Sequence, residues 1–552
     1  MRSNATDVPS SGAKATCLAK NTRKVLCVFP RYTKSFGTMH HAYSLMRGVR
    51  AFMPPQGILL VASYLPTTWN VRFVDENKAP ATDRDFQWAD VVVLSGMHVQ
   101  RDHLCQINDR ARSFGKVVVL GGPSVSGCPE WYPNVDILHV GEIGDATDAL
   151  IQRLDDSCAR PERQEVYVTR NRLPLTDFPL PAYHLINLDD YFLGSVQFSS
   201  GCPYQCEFCD IPELYGRNPR LKSPKQVTAE LDAMLARGNP GAVYFVDDNF
   251  IANRRAAIEL LRELADWQKL RGYPVQFACE ATLNLAQIPQ AMELMRDAYF
   301  CTVFCGVETP DEAALRFMHK EQNVREPILD SIQVLNSYGL EVVSGIILGL
   351  DTDRESTGEA ITQFIAASNI PMLTINILHA LPKTPLWRRL EAANRLVASS
   401  HGRESNVEFL LPYETVVSMW LTCVEEAFTP DAIYGRFEYQ IAKTFPNRKQ
   451  LPLTKARLNA KNILKGLSIL GRIVWHVGIR ADYRRRFWRM AWPNLKQGKI
   501  EEVIHTAVVA HHMITFAREC SSGTTQKCFY GDAPPRTETP QSTSAAKIPA
   551  LV

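Results

Sequence analysis

Three cysteines lie within one short segment, Cys202-Pro-Tyr-Gln-Cys206-Glu-Phe-Cys209. Thiolates spaced C-x3-C-x2-C in a tight loop can converge on a single polynuclear iron–sulfur centre, and three ligands for four irons leave one iron open. A structural zinc is the competing reading. It would normally need a fourth protein ligand, commonly from a second Cys or His pair at matching spacing, and none is evident. Fourteen cysteines in 552 residues are too dilute for a disulfide scaffold, which points to a reduced compartment and to small buried roles for most of the others.

Rigid elements must position this loop. Ahead of it, KVLCVFP (24–30), VRFVD (71–75), DVVVLSG (90–96), KVVVLGG (116–122) and DILHVG (136–141) are short apolar runs separated by helical stretches. Such near-continuous apolar strands need cover on both faces, which predicts a doubly wound, Rossmann-like α/β domain over 23–160 with its ligand at the strand carboxyl ends. Ser95, Gly96, Gly121, Gly122 and Gly141 stand at those ends, where they allow close backbone approach or serve only as βα turns.

A linker over 161–190 contains the Pro-rich stretch LPLTDFPLPAY. A second alternating region, 191–400, carries the strand candidates SVQFSS (195–200), AVYFVDD (242–248), VQFACEA (275–281), CTVFCGVE (301–308), EVVSGIILG (341–349) and LTINILHAL (373–381). Six βα repeats predict a partial (β/α)6 barrel with chemistry at the strand carboxyl ends, and the cysteines follow its first strand directly. Residues 401–520 read as a helical domain, while 1–22 and the Ser/Thr/Pro-rich 521–552 read as disordered.

A composition of 45% hydrophobic and 22% charged residues is that of an ordinary globular protein, and a net charge of +3 argues neither for a nucleic-acid binder nor for a strongly acidic partner. The N-terminal residues lack an apolar signal-peptide core, and no run of about 18 uninterrupted apolar residues occurs. The expectation is a cytoplasmic protein that does not span a membrane.

The cysteine segment, with aromatic Phe208 before its last cysteine, resembles the signature of the radical S-adenosylmethionine (SAM) superfamily. That resemblance implies a [4Fe-4S] cluster on Cys202, Cys206 and Cys209 whose open iron binds SAM and cleaves it to a 5′-deoxyadenosyl radical. Other segments fall where the superfamily places its SAM contacts. Asp247 and Asp248 end the second barrel strand, where a carboxylate or a carbonyl could receive the SAM ammonium, or where they simply cap a strand. Glu280 and Glu308 end the third and fourth strands and could hold ribose hydroxyls or structural Arg partners. Gly345-Ile-Ile-Leu-Gly349 resembles the G-x-I-x-G segment that lies against adenine.

A parallel α/β domain ahead of such a barrel resembles the cobalamin-dependent class B methylases. In the pattern of cobalamin domains S-x-L follows the third strand and G-G the fourth. Ser95-Gly96-Met97 and Gly121-Gly122 hold those places, beside Pro54-Pro55-Gln56-Gly57 and Val140-Gly141-Glu142. The D-x-H-x-x-G motif that supplies a histidine to cobalt is absent, so the resemblance implies base-off methylcobalamin with no histidine ligand, and His40 and His41 are read as ordinary loop residues. A SAM radical and cobalamin together imply methylation of an unactivated sp3 carbon.

Between 455 and 499 twelve Lys/Arg face one acid, Asp482, interleaved with Trp475, Phe487, Trp488 and Trp492. This pattern suits peripheral contact with an anionic membrane surface, with a solvated basic face or an RNA patch as the other readings. From about Lys24 to Cys520, stretches such as KVLCVFPRYTKSFGT, GGPSVSGCPEWYP, FSSGCPYQCEFCDIPELYGRNPRLK and DYRRRFWRMAWP resemble the bacterial hopanoid C-2 methyltransferases. The resemblance implies a radical SAM C-methyltransferase acting on ring A of a triterpenoid lipid. It also implies a reducing partner such as a flavodoxin or ferredoxin, no nucleic-acid partner, and a place on the inner membrane face. A cobalamin-dependent radical SAM enzyme for another lipid, an antibiotic or a tetrapyrrole, and an RNA-modifying radical SAM enzyme, are the alternatives.

Overall fold

Strand β1 (Lys24–Phe29) lies between β2 (Asn70–Asp75) and β3 (Val91–Ser95) in a six-stranded sheet completed by β4 (Val117–Gly121), β5 (Ile137–Val140) and β6 (Glu165–Val168), in the order β2-β1-β3-β4-β5-β6. Every pairing in it is parallel. The computed structural model describes residues 20–397, 403–452, 454 and 460–523. Successive residues of the central strands serve opposite cores, as a period of two requires. Val25, Cys27, Val91, Val93, Val117 and Val119 pack on one face, and Leu26, Val28, Val92, Leu94, Val118 and Leu120 on the other. The prediction of a doubly wound α/β domain is met.

Two boundary expectations need correction. Strand β6 falls inside the expected linker: Glu165-Val166-Tyr167-Val168 pairs only with β5 and alternates between half-buried and exposed, and its apolar run of three residues is too short to mark it. Lys20 and Asn21, expected within a disordered N-terminus, are held in place, because their backbone N–H groups donate to the Asp155 carboxylate at 2.8 and 3.0 Å. Residues 1–19 and the tail 524–552 lie outside the described residues.

The second sheet comprises β7 (Gly194–Val196), β10 (Ala242–Phe245), β11 (Gln276–Glu280), β12 (Phe300–Phe304), β13 (Glu341–Leu348) and β14 (Met372–Ile377), all parallel and in chain order. It is the partial (β/α)6 barrel, open between β7 and β14. A two-stranded antiparallel ribbon, β8 (Ser199–Ser200) with β9 (Arg220–Leu221), brackets the cysteine loop.

Helices Tyr413–Ala427, Pro430–Tyr439, Ala460–Ile473, Arg484–Lys496 and Ile500–Ser521 follow the barrel and share its core. Phe36, ahead of the first helix of the N-terminal domain, joins that core by packing on Phe428 and Phe516 with ring centroids 4.9 and 4.7 Å away. The Pro54–Gly57 segment ties the two sheets together: Gln56 Nε2 donates to Ser195 Oγ at 2.9 Å, and Ser195 Oγ donates to the Pro54 carbonyl at 2.7 Å.

Candidate active site between the two sheets

The cysteine loop starts at Gly201, whose φ of +96° favours glycine; a Cβ there would stand 2.7 Å from the Gly216 carbonyl. Cys202 N–H donates to that same carbonyl at 3.2 Å, and Cys209 N–H to the Cys206 carbonyl at 3.1 Å. Distant barrel loops hold the middle of the turn. Glu207 N–H donates to the Met318 carbonyl and Leu386 N–H to the Glu207 carbonyl, both at 2.9 Å, while Arg389 Nη2 reaches Glu207 Oε2 at 3.2 Å. Gln322 Nε2 donates to Cys206 Sγ at 3.4 Å. Burial pushes the Cys202 and Cys209 thiols up, with the neighbouring Cys206 adding to both shifts.

The three thiols fit an iron–sulfur cluster better than one ion. Ligands around a single tetrahedral zinc with bonds of about 2.3 Å must crowd together. Three thiolates in one turn, with the Gln322 amide aimed at Cys206 Sγ, are the donor set of a polynuclear centre that keeps one iron open.

The strand-end carboxylates divide by role. Asp247 is spent on backbone: it accepts from Phe198 N–H at 3.2 Å and from Ser199 N–H, and burial pushes its carboxyl up to about 7. Asp248 Oδ2 accepts from Gly201 N–H at 2.8 Å, so it positions the residue just before Cys202. Glu280 faces Tyr244, whose hydroxyl donates to it at 3.2 Å. Glu308, held at φ +66°, forms a buried ion pair with Lys320 rather than with an arginine. A Cβ at Gly345 would lie 3.6 Å from Glu308 Oε2, which places that glycine beside the pair. Gly349 has φ +92° and a Cβ there would meet the Phe409 ring at 2.6 Å, so packing within the chain already requires a glycine at that position.

On the first sheet, Ser95 and Gly121 are register partners at the carboxyl ends of β3 and β4. Gly122, at φ +92°, lies so close to them that a Cβ would stand 2.6 Å from Ser95 Oγ. Gly96 follows Ser95 and is packed by Leu104 and Pro30. Gly141 N–H donates to Ser126 Oγ at 2.9 Å. Glu142 pairs with Arg220 at 2.6 Å and Arg172 at 3.1 Å, clasping the first sheet to the cysteine ribbon. Lys383, beyond β14, makes a second clasp by donating to the Ser126 carbonyl at 3.3 Å. The carboxyl ends of both sheets therefore face one gap.

Two imidazoles in that gap escaped the sequence reading. His98 Nδ1 lies 3.2 Å from Ser124 Oγ, and its buried Nε2 has no hydrogen-bond partner. Burial, then the charge of Lys383, lowers its pKa to about 4, and burial with His98 nearby lowers that of His379 to about 3. Both rings are thus neutral near pH 7. His98 follows the Ser95-Gly96-Met97 motif at once, and His379 lies just beyond β14, so a strand-end position was the signal available for both.

The basic segment divides in a way its composition concealed. Phe487 is core and Trp488 is half-buried, with Nε1 donating to the Gly478 carbonyl at 2.9 Å, so neither serves a surface. Arg486 is paired with Asp431 and Glu438. Trp475 and Trp492 remain exposed, together with Ile463, Leu464, Leu467 and Ile479, which the charge pattern had hidden. Lys455 and Arg457 lie outside the described residues.

Comparison with known proteins agrees with this layout. Residues 196–365 match the radical SAM superfamily, and residues 384–526 match a domain of unknown function (DUF4070). The chain is 57% identical over 504 residues to the hopanoid C-2 methylase of Rhodopseudomonas palustris (strain TIE-1), covering 91% of this chain and 95% of that protein. It is 35% identical over 501 residues to an uncharacterized methyltransferase of Synechocystis, covering 89% and 90%. In fold it resembles the cobalamin-dependent S-adenosylmethionine radical enzyme OxsB, with a TM-score of 0.57 at 14% identity over 92% of this chain and 81% of that one. The radical SAM methyltransferase TsrM of Kitasatospora setae, solved with cobalamin and a [4Fe-4S] cluster, gives 0.56 at 15% over 88% and 99%. With a relative 57% identical over 95% of its own length and the radical SAM match across the barrel, the chain belongs to the hopanoid C-2 methylase family of the radical SAM superfamily.

Proposed function

We propose that this chain is a cobalamin-dependent radical SAM methyltransferase that adds a methyl group at C-2, in ring A, of a hopanoid. The observation that carries the reading is that the carboxyl ends of the two sheets face each other, joined by the Glu142–Arg220 pair beside the cysteine loop and by the Lys383 contact to Ser126. When bound, the cluster and SAM supply a radical able to take hydrogen from an unactivated carbon, and cobalamin supplies the methyl group.

The chain's own residues divide the work. Cys202, Cys206 and Cys209 hold the cluster, Gln322 orients Cys206, and Asp247 and Asp248 fix the backbone entering the loop. Glu280, Glu308 and Gly345 line the barrel mouth, where a SAM ribose and ammonium would find acceptors; Gly349 shapes the turn after β13. Ser95, Gly96, Gly121, Gly122 and Gly141 give cobalamin a cradle of close backbone, and Glu142 serves it indirectly by fixing the domain boundary. The orphaned Nε2 of His98 supports a polar group of a ligand in the same gap.

The substrate is a membrane lipid, and the surface around Trp475 and Trp492 suits retrieval from a bilayer. Leu464, Leu467, Trp475 and Trp492 are each at least half exposed, at 65%, 60%, 52% and 57%, with Arg480 and Lys496 over the two indole rings at 5.8 and 5.3 Å. That pairing places apolar groups among acyl chains and cations at headgroups on the cytoplasmic face. Among the described residues no helix is long and apolar enough to cross a membrane, so the contact is peripheral. A flavodoxin or ferredoxin supplies the electron.

The decisive test is expression in a hopanoid-producing bacterium that lacks its own C-2 methylase, followed by lipid mass spectrometry. Hopanoids carrying one added ring-A methyl group are expected. Unmethylated hopanoids beside folded, cluster-loaded protein would overturn the substrate. Co-sedimentation with anionic phospholipid vesicles should fall in a Trp475→Ser/Trp492→Ser variant, and unchanged binding would remove the membrane contact.

A further inference from the structure

His40 and His41 open a short 3-10 helix, His40–Leu45, that packs on the final helix, Ile500–Ser521. The fold brings Glu519 of that helix against both rings. His41 Nε2 lies 3.1 Å from Glu519 Oε1 and His40 Nε2 3.9 Å from Oε2, and one donor atom from each residue lies within 4.8 Å of the others. Both Nε2 atoms are buried and face the Glu519 carboxylate. Two imidazole nitrogens and a carboxylate oxygen gathered this closely can meet one ion.

Surrounding groups prepare the rings for such a role. His40 Nδ1 lies 3.4 Å from Thr38 Oγ1, which turns Nε2 toward Glu519. His512 is fully buried, with its ring 5.2 and 5.7 Å from those of His40 and His41. Its Nε2 is 3.0 Å from the Phe36 carbonyl, an acceptor, so Nε2 carries the proton and Nδ1 keeps a bare lone pair that has no hydrogen-bond partner.

We propose that His40, His41 and Glu519 form a zinc site, separate from the iron–sulfur centre, that staples the N-terminal His40–Leu45 segment to the last helix. Two imidazoles and one carboxylate are a zinc donor set, with a fourth position left for water or His512. The staple lies next to the membrane-facing helices: Arg472 Nη1, in the helix Ala460–Ile473, donates to the Ser44 carbonyl at 3.0 Å.

The test uses the full chain with its cluster and cobalamin loaded, treated with chelator and then given zinc alone. About one zinc per chain should survive desalting, with X-ray absorption showing nitrogen and oxygen neighbours at about 2.0–2.1 Å and no sulfur at about 2.3 Å. Glu519→Gln and His41→Gln should each weaken zinc binding by at least about tenfold while iron per chain stays constant. A sulfur shell would place the zinc on the cysteine loop and overturn the site. So would failure of the parent chain to retain zinc, or full retention by folded Glu519→Gln.

Discussion

Glu142, one residue past the turn that ends β5, accepts a hydrogen bond from Arg220 Nη2 at 2.6 Å, and Arg220 belongs to the ribbon leading out of the cysteine loop. Arg172 joins the same carboxylate at 3.1 Å. One carboxylate thus holds Arg220 across the boundary between the sheets and steadies Arg172 on its own side, which in turn donates to the Tyr215 and Leu214 carbonyls at 2.9 Å.

Glu142→Ala should therefore cost about 1.5–3 kcal/mol, the usual worth of a hydrogen bond to a charged group. Turnover should fall further than stability does, because the two faces of the gap lose their mutual position. Thermal unfolding and 5′-deoxyadenosine release, measured side by side, check this. Equal small losses in both would show that the clasp does not set the geometry of the gap.

Gln322→Leu removes the N–H that points at Cys206 Sγ. Hydrogen bonds to cluster sulfurs raise the reduction potential, so the variant should bind its full complement of iron but show a more negative potential and slower SAM cleavage. Cys206→Ala, in contrast, should lose both the visible absorption of the cluster and SAM cleavage. Potentiometry on the loaded proteins separates the two outcomes.

Lys320 and Glu308 are 6% and 8% exposed, and each is the other's counter-ion. Lys320→Met should destabilise the fold by about 3–5 kcal/mol by stranding a buried carboxylate. Adding Glu308→Gln should return part of that loss, since the remaining group is neutral. Melting temperatures of the single and double variants decide the matter, and a double variant no better than the single one would count against the pairing argument.

Glu280 gives a pH signature. Burial, and then the charge of Asp248, pushes its carboxyl from 4.5 up to about 7 against the help of the Tyr244 hydroxyl. The folded value lies above the unfolded one, so its contribution to stability is fully present below about pH 4.5 and is lost as pH rises through about 7. Glu280→Gln keeps the shape without the charge. Its melting temperature in the cofactor-free chain should gain on that of the parent between about pH 5 and about pH 8, and parallel curves would show that Glu280 ionises without cost.

Local pattern made much of the architecture legible. Runs such as Val91–Leu94 and Val117–Leu120 are apolar on both faces, which only a covered parallel sheet accommodates. Edge strand β6 stayed hidden because Glu165-Val166-Tyr167-Val168 buries almost nothing. The basic segment misled for the opposite reason. Phe487 has the composition of a headgroup aromatic but is enclosed near Tyr434 and Trp488, and Ile463 and Leu467 look like core residues but face out.

By itself the sequence determined the thiol set Cys202, Cys206 and Cys209 and where most strands lie along the chain, because thiol spacing and hydrophobic period act over a dozen or so neighbouring residues. The tertiary structure decided what each carboxylate does. Asp247 binds backbone, Glu142 joins two domains, Glu308 neutralises Lys320, and Glu519 meets two histidines from the other end of the chain. The charge of a carboxylate is local, but its partner is whatever folding brings within about 3 Å, and that partner has no address in the neighbouring sequence.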